Sequence, residues 1–144
     1  SADGTTVATG VREDDDNGSV YVYTGTNWST ETKLTASDGY NSDYFGRSVA
    51  VSADGTRVVV GAFFDDDRGP DSGSVYVYSG VNWSTETKLT ASDGYNNDYF
   101  GNSVSVSSDG NIIIISAPGD DDNGENSGSA YIIRLDEGED VPAH

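Results

Sequence analysis

Hydrophobic and polar residues alternate with a period of two along several short segments. In "GSVYVYSG" (73–80) valines alternate with tyrosines, and in "FGRSVAVS" (45–52) valines alternate with small or polar residues. The segment "RVVVGAFF" (57–64) is instead a continuous apolar run, and "NWSTETKLTAS" (82–92) is a polar, threonine-rich segment. Alternation predicts a strand with one buried face, whereas a short apolar run predicts a strand buried on both faces. These segments therefore predict four consecutive strands, the last of them with edge character.

Turn residues separate the predicted strands. Residues 53–56 read "ADGT", a tight-turn sequence in which Asp-Gly readily adopts positive φ. Nearly every other junction carries Gly, Asp or Asn, and no segment shows the period of a helix. The pattern predicts an all-β protein.

The predicted strands belong to a repeated unit. Residues 19–56 and 74–111 align without a gap at an offset of 55 and are identical at 31 of 38 positions. A third, partial copy contains "GSAYII" (128–133), 55 residues after "GSVYVY" (73–78). Four antiparallel strands per repeat are typical of a propeller blade, which needs a neighbour on each face. We predict tandem four-stranded blades of a β-propeller, about 2.5 of them in this chain; the alternative is a β-sandwich formed by duplication.

Short motifs recur in a constant order within the repeats and carry a resemblance to a known family. They are Phe45-Gly46 and Phe100-Gly101, then Gly61-Ala62-Phe63 and Ser116-Ala117-Pro118 with the poorer Thr9-Gly10-Val11, then "G-x-V-Y-V-Y" at 18–23, 73–78 and, more loosely, 128–133. The chain up to about Ile133 resembles the FG-GAP repeats of integrin α-subunit β-propellers and of bacterial and archaeal surface proteins. The resemblance implies an extracellular, non-catalytic module for cell-surface adhesion or ligand binding. We expect the Phe and Gly of these motifs to serve packing.

The composition restricts the partners. The chain has 25 Asp and Glu against 7 Lys and Arg, a formal net charge of −18. Nucleic acid and anionic membranes are therefore poor partners, because phosphates are bound by basic side chains, whereas cations are natural ones. No apolar run approaches the roughly 18 residues of a membrane span, so we expect no membrane insertion. Such acidity suits high salt and hints at a halophilic or marine microbe.

The acidic residues cluster in the loop that follows the buried strand of each unit. Carboxylates at alternate positions of an extended loop point the same way and repel each other, and Ca²⁺ would relieve that repulsion because it takes about six to eight oxygen ligands. We predict Ca²⁺ sites in the second and third units, and a less complete one in the first. The predicted ligands are Asp65, Asp67 and Asp71; Asp120, Asp122 and Asn126; and Asp14 and Asp16.

Other interpretations of these residues remain open. The loops could be solvated acidic loops without a metal, and the integrin-type calcium loop is absent from its usual place, which reads only "SADGT" or "SSDGN". A second set of oxygen ligands, explained equally well by Asx turns, comprises Asp38, Asn41 and Asp43 with Asp93, Asn96 and Asp98. Trp28 and Trp83 are expected to pack in the core, although exposed aromatic rings there could bind sugars.

Catalysis has little support. The chain has no cysteine, and its one histidine is His144, so we predict that it is not an enzyme. Residues 1–135 are assigned to the repeat domain and residues 136–144 to an acidic C-terminal tail or linker. Because the chain has no methionine and lacks a full ring of blades, we expect further repeats of a longer chain or self-association. The alternative function is a structural subunit of a self-assembling surface fibre or layer; the main one predicts a surface protein or glycan as ligand.

Overall fold

The computed structural model describes residues 1–11, 17–40, 42–125, 127–135 and 139–143. These residues form short strands joined by turns, with two short 3₁₀ turns at Thr26–Trp28 and Val81–Trp83. The strands are β1 (Val7–Val11), β2 (Ser19–Thr24), β3 (Thr30–Leu34), β4 (Ser48–Val51), β5 (Val58–Ala62), β6 (Ser74–Ser79), β7 (Thr85–Leu89), β8 (Ser103–Val106), β9 (Ile112–Ala117), β10 (Ser129–Arg134) and β11 (Glu139–Ala143).

The strands form three antiparallel sheets. Their orders are β1-β2-β3, β4-β5-β6-β7 and β8-β9-β10-β11, so each chain segment adds the next strand at the sheet edge. Equivalent strands of different sheets keep the same register, since Tyr21 pairs with Lys33 and Tyr76 pairs with Lys88. The all-β prediction and the prediction of repeated antiparallel blades are confirmed. Within the described residues, no helix is long and apolar enough to cross a membrane.

The third sheet includes part of the segment that the sequence assigns to an acidic C-terminal tail or linker. Glu139–Ala143 forms β11, which pairs with β10 so that Ala130 lies opposite Ala143. These residues of the predicted tail or linker therefore extend the third sheet. The outer edge of β10 presents backbone N–H and C=O groups, and these pair with a following strand whatever its side-chain pattern.

The hydrophobic core lies between the sheets as two separate clusters. In the first, Val20 and Val22 of β2 pack against Val58 and Val60 of β5, with Phe45 between them. The second cluster places Val75 and Val77 of β6 against β9 and β10 around Phe100. Phe45 and Phe100 are 1% and 0% exposed and meet Tyr76 and Tyr131 edge to face, with centroids 5.4 and 5.2 Å apart. Each sheet therefore buries apolar surface only by packing on a neighbouring sheet.

Two glycine motifs meet where successive sheets approach each other. Gly46 has φ +88° and donates its N–H to the carbonyl of Gly61, 3.1 Å away. A Cβ at Gly61 would collide with the carbonyl of Gly101 from the third sheet, and one at Gly10 would collide with the carbonyl of Gly46. The sheets can approach this closely only because these positions lack side chains.

Candidate functional site

A cavity of about 320 Å³ lies between the β3–β4 connection and the β5–β6 connection. The β3–β4 connection links the first sheet to the second, and the β5–β6 connection joins two strands of the second sheet. The lining residues are Asp38, Tyr40, Asp43, Asp65, Asp66 and Asp67. We call this cavity the acidic pocket. Five of its six lining residues carry carboxyl groups, so its electrostatic preference is for a cation.

Asp65 anchors the loop that forms one wall of the acidic pocket. Its side chain is buried, and its Oδ1 accepts hydrogen bonds from Ser74 Oγ at 2.9 Å and from the backbone N–H of Asp67 at 3.1 Å. The hydroxyl of Tyr76 lies 3.0 Å from its Oδ2 and 2.8 Å from Oδ1 of Asp38. A buried carboxylate requires such partners, because an unpaired one would be strongly penalised. Asp65 therefore holds both the loop and the neighbouring connection in place.

The ammonium group of Lys88 lies among three aspartates. Its Nζ is 2.8 Å from Oδ2 of Asp38, 2.9 Å from Oδ2 of Asp65 and 2.6 Å from Oδ2 of Asp67. Burial of the ammonium would lower the pKa of Lys88, but the hydrogen bonds to these carboxylates outweigh burial and raise it. Lys88 therefore stays charged at neutral pH. It supplies a tethered cation beside the two carboxylates that the sequence assigns to a metal in this loop, Asp65 and Asp67.

Asp43 is a buried carboxyl group of the acidic pocket. Its side chain is 7% exposed, and its Oδ2 accepts the backbone N–H of Tyr40 at 2.6 Å. Burial raises the pKa of Asp43 to about 6; the Tyr40 hydrogen bond opposes this rise, and the charges of Asp65 and Asp66 add to it. For Asp38, burial also acts to raise the pKa, but hydrogen bonds from Lys88 and Tyr76 lower it overall. A cation beside Asp43 would stabilise its ionised form.

The third sheet repeats much of this arrangement. The hydroxyl of Tyr131 lies 2.9 Å from Oδ1 of Asp93 and 2.8 Å from Oδ2 of Asp120. Asp98 accepts the backbone N–H of Tyr95 at 2.6 Å, and its pKa is raised by burial and by the charges of Asp120 and Asp121. The repeat is incomplete in one respect: the strand position opposite Tyr131 is Pro142, whereas the one opposite Tyr76 is Lys88.

The structure brings some of the predicted metal ligands together and separates others. Asp65 and Asp67 share Lys88, whereas Asp71 does not line the acidic pocket and donates its backbone N–H to Asp66 Oδ1 at 2.8 Å. Asp122 donates its backbone N–H to Asp120 Oδ1 at 3.0 Å. Asp14, Asp16 and Asn126, with Asn41 of the second set, lie outside the described residues. In the part of the chain that the structure describes, no group of three or more acidic, His or Cys side chains is arranged to hold a metal ion. The Ca²⁺ ligands remain a prediction.

Sequence reasoning missed Lys88 and the association of Asp38 with Asp65. A signal was present, because the only lysines, Lys33 and Lys88, occupy the same position of the two near-identical "TETKL" strands. A rare lysine at a repeated position of a very acidic chain indicates an acidic partner nearby. What it contacts depends on the pairing of β6 with β7, which places Lys88 opposite Tyr76.

The two tryptophans differ in environment. Trp83 packs against the first core cluster, as predicted. Trp28 is 55% exposed and donates its Nε1–H to the carbonyl of Gly4 at 2.9 Å, so the prediction of core packing was wrong for Trp28. Only Trp83 has a preceding sheet to pack on, because Trp28 belongs to the first sheet of the described chain.

Antiparallel sheets of three or four strands, repeated along the chain and packed face to face, define the class of β-propeller blade repeats. The family model described as "FG-GAP repeat" matches residues 28–78 and 83–133, and the chain belongs to the FG-GAP repeat family. No curated protein matches the chain. Members of the family are generally non-catalytic binding modules and typically occur in extracellular proteins.

Proposed function

We propose that this chain is a non-catalytic extracellular module that binds Ca²⁺ in its acidic loops and serves cell-surface adhesion or ligand binding. Membership of the FG-GAP family supports the class of function. One observation carries the calcium proposal, namely that the acidic pocket has five carboxyl groups and that, among the described residues, the single ammonium of Lys88 pairs with three of them. The pocket is therefore undercompensated by several charges.

The chemistry of the acidic pocket suits a hard cation. Asp43 and Asp66 both line the pocket, and neither is among the ion-pair partners of Lys88. Their oxygens, with those of Asp67 at the pocket surface, provide carboxylate ligands of the type that Ca²⁺ prefers, and water would complete the coordination. This ligand set keeps Asp67 of the predicted set and replaces Asp65 and Asp71 with Asp43 and Asp66. A ligand bearing hydroxyl or carboxylate oxygens, such as a glycan or an acidic surface protein, would displace the water.

The test is a calcium titration of protein stripped with a chelator. We expect Ca²⁺ to raise the melting temperature, because a ligand that binds only the folded state at 100 times its Kd stabilises it by about 2.7 kcal/mol. The double substitution Asp43→Asn with Asp66→Asn should remove most of this response. Glu31→Gln, at an exposed carboxylate on β3, is the matched control and should retain it. Absence of any calorimetric heat or melting shift in wild-type protein at millimolar Ca²⁺ would contradict the proposal.

A structural role is the second candidate function. It is favoured by apolar side chains that are exposed on the first and third sheets, including Val7, Val11, Ile112 and Ile114. A binding module does not need these exposed apolar side chains, whereas an assembling subunit would bury them against a neighbouring copy.

A further inference from the structure

Two outward sheet faces of the chain are apolar and exposed. The first, which we call the β1 face, lies on the first sheet and faces away from the second sheet. Its exposed residues are Val7, Val11 and Trp28, and the half-buried Tyr21 and Tyr23 lie beside them. The other, which we call the β9 face, lies on the third sheet and also faces away from the second. Its residues are Ile112, Ile114, Ala130 and Ile132. Exposed apolar patches of this kind commonly mark interaction sites.

Equivalent residues elsewhere in the repeat show what covers the β1 face. Val7 pairs with Tyr23 just as Val58 pairs with Tyr78, and Tyr78 lies 55 residues after Tyr23. Val7 is 42% exposed, whereas Val58 is fully buried against Val20 and Val22 of the preceding sheet. The β1 face is therefore the kind of surface that packs under a preceding sheet within this chain.

The β9 face corresponds to residues that a following sheet covers elsewhere in the chain. Ile114 pairs with Ile132 as Val59 pairs with Val77. Ile114 and Ile132 are 48% and 36% exposed, while Val59 and Val77 are 0% and 2% exposed because the third sheet packs on them. The β9 face is thus the kind of surface that a following sheet covers.

The two faces are therefore complementary, and we propose that the β9 face of one copy of this chain packs on the β1 face of a second copy. The contact repeats the geometry of the two sheet–sheet interfaces already present within the chain. It is heterologous, so it joins copies head to tail and leaves one open face at each end until a ring closes. The occupant of each face is a second copy because each copy carries both halves of the contact.

Trp28 is the largest exposed side chain of the β1 face. With Val7 and Tyr23 it lines an apolar cavity of about 210 Å³. Trp83, its equivalent one repeat later, packs against the cluster formed with the preceding sheet. Large aromatic residues that fill apolar pockets commonly dominate such interfaces. Mutual repulsion between copies with a net charge of −18 opposes the contact, so salt should strengthen it.

The experiment measures the mass of the chain by light scattering after size exclusion and by analytical ultracentrifugation. In about 1 M NaCl, where the screening length falls to about 3 Å, we expect wild-type protein to form species of at least twice 15.1 kDa. Val7→Lys and Ile114→Lys should each give only the 15.1 kDa monomer. Val81→Lys alters an 82% exposed valine in the turn before β7 and should leave assembly intact.

Mixing the two defective variants tests the head-to-tail geometry. Val7→Lys keeps an intact β9 face, and Ile114→Lys keeps an intact β1 face, so an equimolar mixture should form pairs of twice 15.1 kDa and nothing larger. Circular dichroism of each variant confirms that it folds. The proposal is overturned by a monomeric wild-type protein at high salt and millimolar concentration, by pairing of either variant alone, or by a mixture that stays monomeric.

Discussion

Replacing Lys88 by methionine tests whether its ammonium holds the acidic pocket together. The substitution keeps an unbranched side chain but removes the partner of three carboxylates at 2.6–2.9 Å. Asp65 is the critical one, because its side chain is only 4% exposed, whereas those of Asp38 and Asp67 are about half exposed. Breaking a buried ion pair costs about 3–5 kcal/mol, and each exposed pair contributes about 0.2–1 kcal/mol.

Lys88 is itself 18% exposed, so we take the lower end of the buried range and expect Lys88→Met to reduce the free energy of unfolding by about 3 kcal/mol. For a chain of this size the melting temperature should fall by about 6–12 °C. The assay is urea unfolding at pH 7, followed by tryptophan fluorescence and circular dichroism.

Two further variants make the measurement specific. Lys33→Met changes the equivalent lysine of the preceding repeat, which is exposed, and should cost no more than about 1 kcal/mol. In the Asp65→Asn background, Lys88→Met should cost markedly less, because the uncompensated buried charge is gone. Equal losses for the two lysines, or an Asp65→Asn background that leaves the loss unchanged, would refute the reasoning.

Three other variants test separate parts of the structure. Because the pKa of Asp43 is about 6 in the folded protein and 3.8 in the reference state, the folded state binds the proton more tightly, and stability should fall as pH rises from about 4 to 6. After allowance for solvent screening, the loss of stability amounts to about 1–2 kcal/mol. Asp43→Asn should flatten this part of the pH profile of stability measured by urea unfolding, and an unchanged profile would contradict the raised pKa of Asp43. Gly61→Ala should cost more than about 3 kcal/mol in thermal unfolding, because its Cβ would meet the carbonyl of Gly101. The control Gly4→Ala, at a positive φ in open space, should cost about 1 kcal/mol, and similar losses for the two variants would exclude the close contact. Tyr131→Phe should reduce the free energy of unfolding by about 1–2 kcal/mol, because it removes the hydroxyl that lies near Asp93 and Asp120. Tyr95 is 71% exposed, so Tyr95→Phe should change it by almost nothing, and equal effects of the two variants in chemical denaturation would contradict the hydrogen bonds.

The sequence predicted where the acidic loop lies, but not which residues of other segments meet it. The acidic residues follow the buried strand β5, and the sequence alone indicates that Asp65 and Asp67 lie on one side of the loop. The partners of Asp65 come from distant segments, Asp38 in the preceding connection and Lys88 on β7. These partners meet only after sheets have paired and packed, so no local pattern of residues predicts them.

The sequence by itself determined the strands, their order and the repeat, because period-two alternation and turn residues act over a few neighbouring residues and recur every 55 positions. It also indicated that the Phe and Gly residues of motifs such as Phe45-Gly46 and Gly61-Ala62-Phe63 serve packing. Only the tertiary structure decided that Gly61 of one sheet lies against Gly101 of the next, that β11 completes the third sheet, and that Val7 is exposed while Val58 is buried. The physical reason is that burial belongs to a pair of surfaces: near-identical repeats have the same local preferences, and the neighbouring sheet decides which apolar side chains leave water.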